Sequence, residues 1–362
     1  MDLPVIVHLL FFLQSDSMLY IHQSTCISAQ QTFLDVDINV LHEPVENKLK
    51  VIEPTYEGIP PGILRRMGKA VRIGVGSALP LLKTATSLDG FIIGTANGGM
   101  EDCIKFLNQI IQYEEGALTP GSFVQSTPNA IAGQLGLFTK NKGYNITHVH
   151  RGLAFENALI DAIMLLDEHP ENNYLLGAID EISAYNYNID MLAGWYKKEA
   201  FKNLYQTNST GSIAGESAVS FLVNGNKTNA VASLTAIDIL HSTDITVIKT
   251  QLQYLLDHHL PSGEKIDLLL SGENGDNRLL QYYTAVENVT GNITTARFKH
   301  MTGEYATASA FAVWLAREIF RTQAIPAHMI KKQAAQTLIK NILIYNNYKG
   351  TQHSFILITK EN

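Results

Sequence analysis

"NITHVHRGLAFENALIDA", residues 145–162, reads as an extended segment that enters a turn of small residues and leaves it as an apolar helix. Such strand-turn-helix corners seat nucleophiles, because the positive end of the helix stabilises a thiolate or alkoxide held there. This corner offers Val149 between His148 and His150, and a valine side chain carries no nucleophilic atom. The corner is therefore either a site of an unusual kind or one whose chemistry has been lost.

The surrounding chain has 362 residues, 46% hydrophobic and 17% charged, enough apolar material for one large domain or two intimate ones. With 27 Lys and Arg against 34 Asp and Glu, the net charge is −7, which does not favour nucleic acid or an anionic membrane as partner. Cys26 and Cys103 stand in unrelated contexts, so no disulfide framework is expected and a reduced, cytoplasmic setting fits. No cofactor or metal is expected. "GTANGG" (94–99) lacks the lysine and Ser/Thr of a phosphate loop, no GxGxxG occurs, and Asp257-His258-His259 has no third ligand nearby. The apolar run 3–13, "LPVIVHLLFFL", is shorter than the roughly 20 residues of a spanning helix and has no basic stretch before it. Residues 1–17 are expected to be a mis-assigned start ahead of Met18 or a disordered extension, with a signal or anchor as the alternative.

Short apolar runs ended by Gly, Asp or Ser mark strands at 90–99, 173–181, 217–225, 266–275 and 353–359, with "MLYIHQSTCIS" (18–28) as the first. Helical patterns fall at 62–82, 154–169 and 309–322, and the section 226–265 reads as polar and then helical. Strands alternating with helices indicate an α/β protein.

In order along the chain, these pieces resemble the β-ketoacyl synthases of the thiolase-like fold. "PPGILRRMGKAV" (60–71) is similar to the family's Arg-Arg-Met helix, and "GTANGGMED" (94–102) to its Gly-Thr-Gly-x-Gly-Gly turn. "GSFVQSTPNAIAGQLGL" (121–137) resembles the segment before the nucleophile, "NYLLGAIDE" (173–181) the strand ending Gly-Gly-x-Glu, and "AGESAVSFLV" (214–223) the Gly-Glu-Gly-Ala strand. "FKHMTGEYATASAFAVWLA" (298–316) resembles the Lys-Ser-x-x-Gly-His helix start, and "NYKGTQHSFILI" (347–358) the closing Gly-Phe-Gly-Gly-Thr-Asn turn and strand. The resemblance implies two pseudo-duplicated halves in stacked helix and sheet layers, expected at 18–225 and 226–362, in a protein that dimerises.

The same resemblance implies a cysteine nucleophile three residues before a glycine, and two histidines that stabilise the enolate and the oxyanion. With the glycine at Gly152, the nucleophile position falls on Val149. The first histidine position falls on Glu273, to within one residue, and the second on Glu304, while the family's lysine is kept as Lys299. The pocket is expected to involve Asn129, Arg151, Gly152, Tyr348 and Gly350, with Arg151 free to pair with Glu273 or Glu304. Arg65, Arg66, Lys69 and Arg72 form either a docking face for an acidic carrier protein or a solvated face with internal salt bridges. A synthase-like chain without its triad resembles the chain-length-factor subunits of polyketide and polyene systems, although it lacks the glutamine many of them carry at the cysteine position. The expected role is a non-elongating subunit in fatty-acid-like, polyketide or aryl-polyene pigment synthesis. Its expected partners are an active ketosynthase, as homo- or heterodimer, and an acyl carrier protein. The alternative is an acyltransferase of altered chemistry using Glu273, Glu304, His148 and His150. Because alternate residues of an extended segment face opposite ways, those two histidines are not expected to share a metal.

Overall fold

The computed structural model describes residues 18–85, 87–199, 203–206, 208–260, 263–335 and 338–361; the run 3–13 and the choice between Met1 and Met18 lie outside them. The strands are β1 (Leu19–Ile27), β2 (Lys48–Leu49), β3 (Gly90–Gly94), β4 (Tyr144–His148), β5 (Tyr174–Asp180), β6 (Ala214–Gly215) and β7 (Ser217–Asn224). They continue with β8 (Ala232–His241), β9 (Leu268–Ser271), β10 (Thr294–Arg297), β11 (Ile330–Lys332), β12 (Asn341–Tyr348) and β13 (Gln352–Lys360). β2 pairs with β6, and the other strands run in the order β11-β10-β9-β12-β13-β8-β1-β7-β5-β3-β4.

That order contains the same unit twice. Counted along the chain, β1, β3, β4, β5 and β7 lie in space as third, second, fourth, fifth, first, and so do β8, β9, β10, β12 and β13. In each unit the last strand, β7 or β13, runs antiparallel to both neighbours while the rest are parallel. The sheet units join where Leu19–Ile21 of β1 pairs antiparallel with Ala232–Leu234 of β8.

Burial explains the layers. Helices Ala154–Glu168 and Ala308–Thr322 are apolar on nearly all sides, and their Phe155, Leu159, Phe311 and Trp314 share one core with residues of both sheet units. A helix buried all round belongs between sheets. The outer helices are one-sided: Lys69–Thr84 and Ala130–Thr139 cover the first unit through Ile73, Val75 and Ile131. Ile245–His259 and Leu280–Thr290 cover the second through Ile248, Leu252 and Tyr283.

The expected helix at 62–82 is two helices, Pro61–Leu64 and Lys69–Thr84. Gly68 between them is extended, its N–H donates to Gln125 Oε1, and a Cβ there would stand 1.8 Å from Asp102 Oδ2. The section 226–265, read as polar and then helical, contains β8 before its helix. β12 also escapes the apolar pattern because Asn346 and Asn347 are buried in it, where the Asn347 side chain accepts from the Gly350 N–H and contacts His353.

Candidate active site

At the end of β4 the Thr95 N–H donates to the His148 carbonyl, which ties the corner to the 94–99 turn. Arg151 takes φ +50°, and the buried Gly152 donates its N–H to Gln352 Oε1 at 3.0 Å. Gly152 has to be glycine: a Cβ there would lie 2.2 Å from the Tyr348 Cβ. The helix Ala154–Glu168 then begins, so the strand-turn-helix corner read from residues 145–162 is present.

Its side chains do not converge on a reaction centre. Val149 is 51% exposed and His150 is exposed. His148 Nε2 lies 2.9 Å from Asp161 Oδ2, and Asp161 also accepts from the Tyr144 hydroxyl at 3.1 Å. His148 therefore serves a surface cluster beside β4. Among the described residues no three His, Cys, Asp or Glu side chains converge as metal ligands.

Glu304 and Lys299 do meet, as the family spacing implies. Lys299 is fully buried, and its Nζ donates to Glu304 Oε1 at 3.0 Å. The Asn274 amide donates to Glu304 Oε2 at 2.8 Å, so both carboxylate oxygens are used. The backbone is pinned too, by Glu304 N–H to Ile213 O and Gly215 N–H to Glu304 O. The side chain facing Glu304 is thus Asn274, one place beyond Glu273. Glu273 instead meets Arg297 Nη1 at 3.0 Å and Lys331 Nζ at 2.5 Å. Neither carboxylate pairs with Arg151, which is exposed.

Glu304, Asn274 and Tyr348 line a small cavity with Glu181, Asn186, Asp190, Trp195 and Tyr196. It offers about 30 Å³ of free space, enough for a water-sized guest and far below the several hundred Å³ of a pocket for an extended organic ligand. Tyr348 fills the space between this cavity and the Gly152 corner, held in place by its contact with the glycine. Of the other residues expected in the pocket, Asn129 accepts from the Thr147 hydroxyl at 2.9 Å and Gly350 donates to Asn347 Oδ1 in the β12–β13 turn. Neither lines the cavity, nor do Arg151 and Gly152. Asn186, Trp195 and Tyr196 gave no signal in sequence because they lie on or beside the helix Ala184–Leu192, a stretch that carries no motif, while Glu181 ends the 173–181 stretch, whose resemblance assigns it no role in the pocket.

The frame behind the cavity is centred on the buried Asp180, at the end of β5. Its carboxylate accepts from Thr95 Oγ1, the Ala96 and Asn97 N–H groups, and the N–H and hydroxyl of Thr307, at 2.8–3.1 Å. It thereby joins the 94–99 turn to the start of the helix Ala308–Thr322.

The basic face divides. Lys69 pairs with the buried Glu216, and Arg72 forms a two-point pair with Glu53 at 2.6 and 2.7 Å, so both are internal. Arg65 and Arg66 stay exposed. Neither cysteine takes the nucleophile's place: Cys26 is buried, and desolvation pushes its thiol up to about 12, while Cys103 lies in the helix Met100–Gln112. No helix among the described residues is long and apolar enough to cross a membrane.

Comparison with known proteins agrees with the layered fold. Residues 42–193 match the family model described as "Beta-ketoacyl synthase, N-terminal domain". A β-ketoacyl synthase from Burkholderia phymatum STM815 superposes with TM-score 0.76 at 14% identity, over 96% of this chain and 100% of that one. The ishigamide ketosynthase/chain length factor gives TM-score 0.78 at 13% identity, over 96% and 100%. A ketosynthase (ApeO) in complex with its chain length factor (ApeC), from Xenorhabdus doucetiae, gives 0.75 at 13%, over 95% and 98%. No curated protein matches the chain by sequence. The chain has the thiolase-like ketosynthase fold, in two pseudo-duplicated halves.

Proposed function

We propose that this ketosynthase-like chain is a non-elongating subunit that docks on an active ketosynthase and helps to bound the space in which an acyl chain grows. The observation that carries this reading is the closed Lys299–Glu304–Asn274 arrangement, which stands where the resemblance puts two catalytic histidines. A lysine ammonium and an asparagine amide already hold both Glu304 oxygens. The carboxylate is thus neither a free base nor a hydrogen-bond donor for a thioester oxygen, and the cavity beside it does not admit an acyl chain. Val149 supplies no thiol, and neither His148 nor His150 lines Glu304's cavity, which favours this reading over one of altered chemistry.

Where the chain would dock is suggested by its surface. β4 ends the strand order, with one edge unpaired among the described residues. Beside it stand exposed Val149 and Leu137, and Phe123, Val124, Leu107 and Ile111 continue from the helices Pro120–Val124 and Met100–Gln112, which touch through Phe106 and Phe123. A strand edge next to exposed apolar side chains is a protein-binding surface. Arg65 and Arg66 remain as the carrier-facing part of the basic patch. The proposed division into halves at 18–225 and 226–362 falls in the link between β7 and β8.

The test is co-expression with a ketosynthase encoded beside this chain, followed by intact-mass analysis after exposure to activated acyl donors. A stable complex in which only the synthase gains an acyl group supports the reading. Acylation of this chain, or no association with the synthase, would sink it.

A further inference from the structure

The charges around the cavity do not balance. Lys299 has Glu304, Lys349 has Asp190 at 2.6 Å, Arg278 has Asp276 at 2.9 Å, and Lys69 has Glu216. Glu216 also accepts from the N–H groups of Val51 and Ile182. Among the described residues Glu181 is left over. It is 5% exposed, it lines the cavity, and its Oε1 has no hydrogen-bond partner. Its charged neighbours are mostly of its own sign: Asp102, Glu216 and Glu101 oppose its ionisation, and only Lys69, already engaged, favours it. A second orphan, the buried Asn186 Nδ2, belongs to another residue of the cavity lining. Turning that amide over presents Oδ1 in its place, because the two ends of a carboxamide are interchangeable in shape. A buried polar atom without a partner costs free energy that a ligand of matching chemistry recovers.

We infer that this cavity takes a primary ammonium group, with the Glu181 carboxylate as counter-charge, Asn186 as a second acceptor and the rings of Trp195 and Tyr196 as walls. Size selects the class: about 30 Å³ admits a water-sized ammonium head and excludes a quaternary one. The ammonium comes from a small alkylamine or from a lysine of a docked protein, and the two share the same recognition. The site does not depend on the proposed subunit role, since it is formed within one chain.

The test is calorimetric titration of the purified full chain with methylammonium at pH 8.5, with tetramethylammonium as size control. Saturable binding of methylammonium alone is expected. It should weaken about tenfold or more in Glu181→Gln, where only a neutral acceptor remains. The wild-type pH series is a second readout that needs no variant. Burial raises the Glu181 carboxyl to about 7, so affinity should be full above that pH and drop about tenfold per unit below it, as the carboxylate takes up its proton. Repeating the titration on the complex with a synthase separates the sources: blocked binding assigns the ammonium to the partner's lysine, retained binding to a free amine. Absence of saturable binding, equal binding of tetramethylammonium, or binding indifferent to both pH and Glu181→Gln overturns the inference.

Discussion

Replacing Glu304 with alanine should destabilise the protein by leaving Lys299 charged and alone. The Lys299 ammonium is wholly buried and its ion pair is with Glu304 at 3.0 Å. Removing one partner of a buried pair costs about 3–5 kcal/mol, since the remaining charge stays desolvated. The lower end applies here. Glu156, fully buried with its Oε2 unpartnered, is kept above the usual carboxylate range by desolvation, while Lys299 pulls it down. Once Glu304 is gone, Glu156 can ionise and take over part of its role. Unfolding entropy of about 2.1 cal/mol/K per residue over 362 residues is about 0.76 kcal/mol/K, so a loss of about 3 kcal/mol lowers Tm by about 4 °C. Lys299→Met combined with Glu304→Leu removes both charges and should recover most of that loss, giving a coupling of about 2 kcal/mol or more. Adding Glu156→Gln to Glu304→Ala should lower Tm further. Scanning calorimetry of these variants beside the wild type reads all of this. A Glu304→Ala Tm within about 1 °C of wild type, or strictly additive Lys299 and Glu304 effects, would refute the idea of one buried charge unit.

Three other outcomes are expected from the same structure. Val149→Cys should be alkylated rapidly by iodoacetamide in the free chain and protected in complex with a synthase, while buried Cys26 stays unmodified in both; peptide mass analysis reads each thiol. Rapid labelling of Cys26 in the native protein would contradict its burial. Gly152→Ala pushes a Cβ to 2.2 Å from Tyr348 and should cost about 1–3 kcal/mol, or about 1–4 °C in Tm; an unchanged Tm would mean that the corner and Tyr348 are not in contact. His353 is buried, and desolvation lowers it from 6.5 to about 4. A histidine depressed by folding contributes stability above its unfolded pKa and loses it as the pH falls toward its folded one. The unfolding free energy from urea titration should therefore decline from pH 6.5 to pH 4, by about 3 kcal/mol from this residue, with the midpoint falling accordingly, and His353→Asn should flatten that slope. A wild-type midpoint independent of pH over that range would dismiss it.

Much of the fold was legible because its signals are local. Runs such as Phe91–Ile93 and Leu175–Leu176 must be covered on both faces, and the helix Ala308–Thr322 has little polar side to give to water. The segments that escaped notice contradict their own composition: β12 carries two buried asparagines, and Gly68 interrupts what reads as one continuous helix. The basic face at 65–72 looked uniform because sequence does not show that Glu216 and Glu53 come from elsewhere to claim Lys69 and Arg72.

The alternation of apolar strands with helices, the valine at the corner and the Lys299–Glu304 spacing are properties of neighbouring residues, and the sequence alone determined them. Which side chain meets Glu304 was decided in three dimensions. Glu273 and Asn274 are adjacent in an irregular loop, and a shift of one residue there sends a side chain to a different neighbourhood. Asn274 reaches Glu304, 30 positions away, while Glu273 reaches Lys331, 58 positions away. The unpaired Glu181 carboxylate is likewise a tertiary fact. A charge is left over only relative to the neighbours that folding brings to it: like charges near β7 and on the helix from Met100, and one engaged lysine on the helix from Lys69.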